Sequence, residues 1–186
     1  HRLDRRQRQM CIRDSHYGDG SGVRGDIIGD TQHHGGNDKA IYAYAREELD
    51  YWQSELSRPL ASGCFGENLT TQGVDLSALL INQRLRIGTA VLEASVPRQP
   101  CSTFAGWLGE RGWLKRWTAR GDCGTYLRII SPGRIQPGDC ITMDAPPNHD
   151  ITMRIAFAAK MGNRTLAQRV IEAGCLPPHQ NNSLRA

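Results

Sequence analysis

With 186 residues, the chain is long enough for one domain with a real core and short for two, so a single domain with an appendage is expected. Its 39% hydrophobic and 23% charged content matches ordinary globular averages, and no apolar run approaches the roughly 18 residues that span a bilayer, which excludes a membrane-crossing helix. The formal charge of +4 is concentrated: residues 1–15 hold five arginines and two acids, leaving 18 basic against 17 acidic residues elsewhere.

Within that first segment, Arg6-Gln7-Arg8-Gln9-Met10-Cys11-Ile12-Arg13-Asp14 reads as a translated sequencing-library adapter, so residues 1–15 are expected to be non-native. The competing reading is a disordered basic arm that binds nucleic acid. With the segment set aside, the electrostatic case for nucleic acid disappears, and neither a nucleic-acid nor a membrane partner is expected. Of six cysteines, Cys11 lies in the suspect segment, while Cys64, Cys101, Cys123, Cys140 and Cys175 are irregularly spaced. An odd remainder without a signal peptide fits a reducing, cytoplasmic setting, not a disulfide framework. His33 and His34 have no second ligand pair at zinc-like spacing.

After a Gly-rich stretch at residues 18–25, the segment from Asp38 to Leu56 places Ile41, Tyr44, Ala45, Leu49, Trp52 and Leu56 on one helical face, with Asn37 or Asp38 as cap. From Gly63 the pattern turns to short pieces punctuated by turns, as in strand-rich domains. Residues 91–96, Thr125 to Ile130 and Ile141 to Met143 read as strands, with turns at Ser131-Pro132-Gly133 and Pro137-Gly138-Asp139. Between the first two, Thr103 to Thr118 carries Phe104, Trp107, Leu108, Leu114 and Trp117 on an amphipathic pattern broken by Gly106, Gly109 and Gly112, an insertion over one end of the barrel. Beyond Pro146-Pro147, Ile151 to Ile155 reads as a strand or extended link, followed by a helix from Leu166 to Ala173 that ends at Gly174 and a frayed tail from Gln180.

Four pieces occur in order: His34-Gly35-Gly36-Asn37-Asp38-Lys39-Ala40, Phe65-Gly66-Glu67-Asn68-Leu69, Pro97-Arg98-Gln99-Pro100-Cys101, and Pro132-Gly133-Arg134-Ile135-Gln136-Pro137-Gly138-Asp139. Each alone recurs by chance; together, across about a hundred residues, they resemble the MOSC domain family and its short bacterial branch. The resemblance covers roughly Gly22 to Asp144. It implies a mainly β fold with flanking helices, a closed antiparallel β-barrel at residues 16–145, followed at 146–186 by an extended link and a small C-terminal helical tail. The family pattern carries one or two strands ahead of Gly22-Val23-Arg24-Gly25-Asp26, where this chain has the suspect segment, so the barrel is expected to lack its first strands.

The same resemblance implies binding of the molybdenum cofactor and reduction of N-hydroxylated bases or amines. Molybdenum held by a dithiolene is soft and suits a thiolate, which makes Cys101 the candidate metal ligand and catalytic residue. Arg98, three residues away, favours the charged thiol. Donors for the cofactor's phosphate and pterin edge are the amides around Gly35 and Gly36 with His34, the side chains of Lys39 and Arg98, and the amide of Asn68. The competing readings are a tight turn for His34-Gly35-Gly36 and a turn-forming asparagine for Asn68. Glu67 is either a proton relay or a cap of backbone amides. Arg134 reads as a solvated loop residue, and Trp107, Trp113 and Trp117 as packing more than as a surface on which an aromatic substrate stacks.

No flavin, iron-sulfur or haem motif is present, so electrons for a small-molecule substrate must come from an external electron-transfer protein. A different function within the resemblance is a non-catalytic cofactor carrier or sulfur-transfer module. Only three lysines exist, Lys39, Lys115 and Lys160, and none sits in a pyridoxal phosphate pocket motif, so that cofactor is not expected to be bound covalently.

Overall fold

The computed structural model describes residues 2–3, 10–11, 23 and 36–185. Strands β1 (Arg2–Leu3) and β2 (Met10–Cys11) precede a 3₁₀ turn at Asn37–Lys39, β3 (Ile41–Ala45) and helix α1 (Arg46–Leu56). The helix expected from Asp38 thus begins later: Ile41–Ala45 is buried at every position, and with both faces of the strand covered Ile41, Tyr44 and Ala45 fall at helical spacing. Strands β4 (Leu69–Gln72), β5 (Arg84–Ile87) and β6 (Ala90–Pro97) follow, then α2 (Ser102–Leu108), α3 (Trp113–Arg120), β7 (Thr125–Ser131), β8 (Arg134–Ile135) and β9 (Ile141–Met143). Left-handed Gly109 and Gly112, at φ 71 and 70, separate α2 from α3, which is the break expected within the insertion.

Seven strands form one sheet in the order β1-β4-β3-β7-β6-β5-β9, and β2 pairs with β8. It curls into a half-barrel with helices packed against it. The strand pairing is mostly antiparallel, as expected, with one exception: β3 and β4 run parallel, because α1 carries the chain back before β4 begins. Among the described residues the sheet stops at β1 and β9. The pairings of Arg2 with Gln72 and Met10 with Ile135 are main-chain ladders at an edge, which place no demand on side-chain identity. Register shifts between Val91 and Leu92 and between Ala94 and Pro97 bend β6, the longest strand, as it leads towards Cys101.

An aromatic cluster fastens α2 and α3 to the sheet. Trp52 and Trp113 meet edge-on at 4.5 Å, and Phe104 lies 5.1 Å from Phe65 and 5.5 Å from both Trp113 and Trp117. Residues 151–155 are corrected from strand to helix start. Thr152 bridges to Leu80 and its hydroxyl then accepts from the Ile155 amide at 3.2 Å, capping α4 (Met153–Lys160). Helix α5 (Arg164–Ala173) ends at Gly174, and the tail expected to fray carries α6 (Pro178–Asn182). Among the described residues no helix is long and apolar enough to cross a membrane.

Candidate functional site

Pro97 and Pro100 hold the chain extended after β6. Cys101 (φ −136, ψ 156) is the N-cap of α2, and its Sγ accepts from the Phe104 amide at 3.4 Å. Phe104 is itself locked in the aromatic cluster, so the sulfur's position is tied to the core. Cys101 is half-buried and lies on a wall shared by two cavities.

The first, about 440 Å³, is lined by Lys39, Gln99, Tyr126 and Gln180 besides Cys101. Lys39 Nζ lies 5.8 Å from the centre of the Tyr126 ring. Burial pushes the Lys39 ammonium below its ordinary range, outweighing the opposing charge of Asp38. Lys160, whose Nζ lies 3.5 Å from the Gln180 carbonyl, is lowered by burial and then by repulsion from Lys39. Lys39 is the lysine that lines this cavity, and Lys160 lies behind Gln180, near enough for the two charges to repel.

The second cavity, about 300 Å³, is lined by Cys64, Phe65, Arg98, Phe104 and Trp107 besides Cys101. The Arg98 guanidinium is sandwiched 4.6 Å from the Tyr42 ring centre and 4.4 Å from that of Phe104, and donates to the Phe65 carbonyl, leaving Nε buried without a partner. Burial and the nearby Glu67 push the Cys64 thiol up to about 11, which keeps it protonated near neutral pH. Trp113 and Trp117 are core residues as expected, whereas Trp107 is 77% exposed, with Nε1 donating to the Cys64 carbonyl at 3.1 Å.

Cys101, Arg98 and Lys39 are thus brought together, and two other expected residues are not. Glu67 is buried beneath the 63–66 loop, where its carboxylate accepts from the Gly63 amide at 2.6 Å, the Phe65 amide at 3.0 Å and the Thr70 hydroxyl at 3.0 Å. Burial raises its pKa against the pull of these donors. It lines neither cavity, and the amide-capping reading describes it. Asn68 pairs with the Tyr42 backbone, its side-chain Oδ1 accepting at 2.9 Å and its main-chain N–H donating at 2.8 Å, and so sets the register between β3 and the start of β4. Gly36, at φ 81, caps the 3₁₀ turn that presents Lys39. His34 and Gly35 lie outside the described residues.

The fourth sequence piece has a packing role. A Cβ on Gly133 would fall 2.5 Å from the Thr89 carbonyl carbon, and the Thr89 hydroxyl accepts from the Arg134 amide at 2.8 Å, while the Arg134 side chain is exposed. Cys140 is exposed, since it sits where the chain enters the edge strand β9. Tyr126, Gln99 and Gln180 were missed. Gln99 lies inside the Pro-Arg-Gln-Pro-Cys piece, and Pro177-Pro178 ahead of Gln180 is a helix-start signal.

A third cavity, about 470 Å³, shares no residue with these two; Tyr44, Glu48, Asp75, Arg120, Asp122 and Arg154 are among its walls. Arg120 grips Glu48 at 2.9 and 2.6 Å, and Arg154 contacts Asp122 at 3.0 Å and the Ser77 hydroxyl at 2.6 Å. Asp75 accepts from the Ser77 amide at 2.9 Å and hydroxyl at 2.7 Å.

The MOSC domain model matches residues 30–142. Over 155 residues, 82% of this chain and 70% of the relative, the sequence is 36% identical to the uncharacterized protein YflK of Bacillus subtilis. A reductase of Gibberella moniliformis is 30% identical over 128 residues, 66% of this chain and 22% of that protein. Among solved structures, YiiM from Geobacillus stearothermophilus superposes with a TM-score of 0.72 at 27% identity, covering 81% of this chain and 78% of that one.

Proposed function

Because this chain belongs to the MOSC domain family, we propose that it binds the molybdenum cofactor through Cys101 and reduces N-hydroxylated compounds with electrons from a separate protein. The observation that carries this reading is the position of Cys101: one half-buried sulfur, fixed by the Phe104 amide, reaches both a polar cavity lined by Lys39 and an apolar one with exposed aromatic surface. The donor set fits the group. A soft metal suits the sulfur, and an anionic phosphate suits the cavity lined by Lys39, whose ammonium burial holds below its ordinary range. The 30% identity to a fungal reductase, over a fifth of that protein's length, agrees with redox chemistry.

When bound, the cofactor supplies a two-electron centre that accepts an oxygen atom. The N–O bond breaks and an N–H bond forms, the oxygen leaving as water after uptake of two electrons and two protons. This chain's part is to fix the metal-facing sulfur, to hold the phosphate with Lys39, and to keep Cys101 and substrate together at the shared wall. Arg98 holds that wall in shape, because its stacked guanidinium joins the Phe65 loop to Phe104 on α2. Glu67 belongs to the same scaffold, and protons reach the substrate from solvent.

Molybdenum and pterin analysis of protein from a cofactor-competent host, wild type against Cys101→Ala and Cys101→Ser, tests the reading. Stoichiometric metal in the wild type and its loss in both variants, with unchanged melting temperature, is expected. Wild-type protein without molybdenum or pterin would sink it. Metal without turnover of an N-hydroxylated purine under an artificial electron donor would instead identify a carrier.

A further inference from the structure

Among the described residues, aromatic rings are covered almost everywhere. Tyr51, 36% exposed, has the Arg120 guanidinium 4.1 Å from its ring centre and Trp52 at 4.9 Å. Trp107 differs: 77% of it is exposed, and among the described residues no ring or cation lies against it. Yet the indole is not loose, because its Nε1 donates to the Cys64 carbonyl across the mouth of the second cavity. An exposed aromatic face held in one orientation at a cavity mouth has the form of a stacking surface.

Trp107 sits in the last turn of the helix whose first turn holds Cys101, so the two are about 9 Å apart along the helix axis, six residues at 1.5 Å each. A fused heteroaromatic ring can bridge that span, with one face on the indole and its edge directed at the sulfur. The remaining walls suit a flat apolar body: Phe65 and Phe104 are buried rings, and Arg98 is already stacked between Tyr42 and Phe104. We infer that Trp107 is the substrate-stacking residue, and that it selects planar N-hydroxylated bases over N-hydroxylated aliphatic amines. This rests on the reading of Cys101 as the reaction centre.

Two measurements test it. Calorimetric titration of the purified protein with adenine, an unreactive planar probe, is expected to show binding that weakens at least fivefold in Trp107→Ala and stays within about twofold in Trp107→Phe, since base stacking on an aromatic side chain contributes about that much or more. In molybdenum-loaded protein, Trp107→Ala is expected to raise KM about tenfold for an N-hydroxylated purine and leave KM for an N-hydroxylated aliphatic amine unchanged. Equal adenine affinity in wild type and Trp107→Ala, or equal KM changes for both substrates, overturns the inference. Reduction that persists with unaltered selectivity in Trp107→Ala removes the stacking role and leaves the reductase reading intact. Adenine binding that depends on Trp107 in a protein that never takes up molybdenum supports the stacking surface and removes the reductase reading.

Discussion

Two cavities of nearly equal size, about 440 Å³ at Cys101 and about 470 Å³ beside Asp122, differ in how their charges are settled. At Asp122 the carboxylates and guanidinium groups are paired: Arg120 with Glu48, and Arg154 with Asp122 and Ser77. At Cys101 the wall carries a single lysine, Lys39, whose ammonium burial lowers. A closed network of ion pairs is a scaffold, whereas a partly buried cation on a cavity wall suits a bound anion. Volume does not separate the two; the electrostatic account does.

The comparison can be broken by substitutions. The largest effect on stability is expected from Glu67→Ala, in the scaffold behind the second cavity, because it strands the Gly63 and Phe65 amides and the Thr70 hydroxyl. A loss of about 3 kcal/mol or more, or about 6–12 °C in Tm, should follow in thermal unfolding. An unchanged Tm with lost reduction would return Glu67 to the chemistry. Asp122→Asn should cost about 1–2 kcal/mol, since it weakens the hold on Arg154 and Arg120, and should leave molybdenum content untouched. Loss of metal in that variant would erase the distinction between the cavities.

The smallest effect sharpens the contrast. A lysine whose folded-state pKa is depressed binds fewer protons when folded, so stability rises with pH between the lowered value and 10.5, and at neutral pH the buried charge opposes folding. Lys39→Met should therefore raise the Tm of cofactor-free protein by about one or two degrees while cofactor retention falls. A lower Tm in the cofactor-free variant would mean that Lys39 is a structural cation.

Much of the architecture was legible in the sequence because its signals are local. Residues 91–96, 125–130 and 141–143 are strands, and glycines separate α2 from α3 where the amphipathic pattern breaks. Ile41–Ala45 deceived because a strand covered on both faces loses its alternation. Cys101 was singled out through an ordered motif, and the structure adds the Phe104 tether and the shared wall. Asn68 and Glu67 hold main-chain groups in place, a role that a motif does not distinguish from contact with a ligand. Trp107 was misjudged as packing because helical spacing gives its place on the helix and says nothing of what lies opposite.

The cavity beside Cys101 draws on Lys39, near the start of the sheet, and on Gln180, in the last helix. During synthesis these residues leave the ribosome far apart in time. The last wall of the cavity exists only after translation has passed Gln180, so a ligand that needs every wall loads only after α6 has been made, and a chain cut before α6 would present the sulfur in an unfinished vessel.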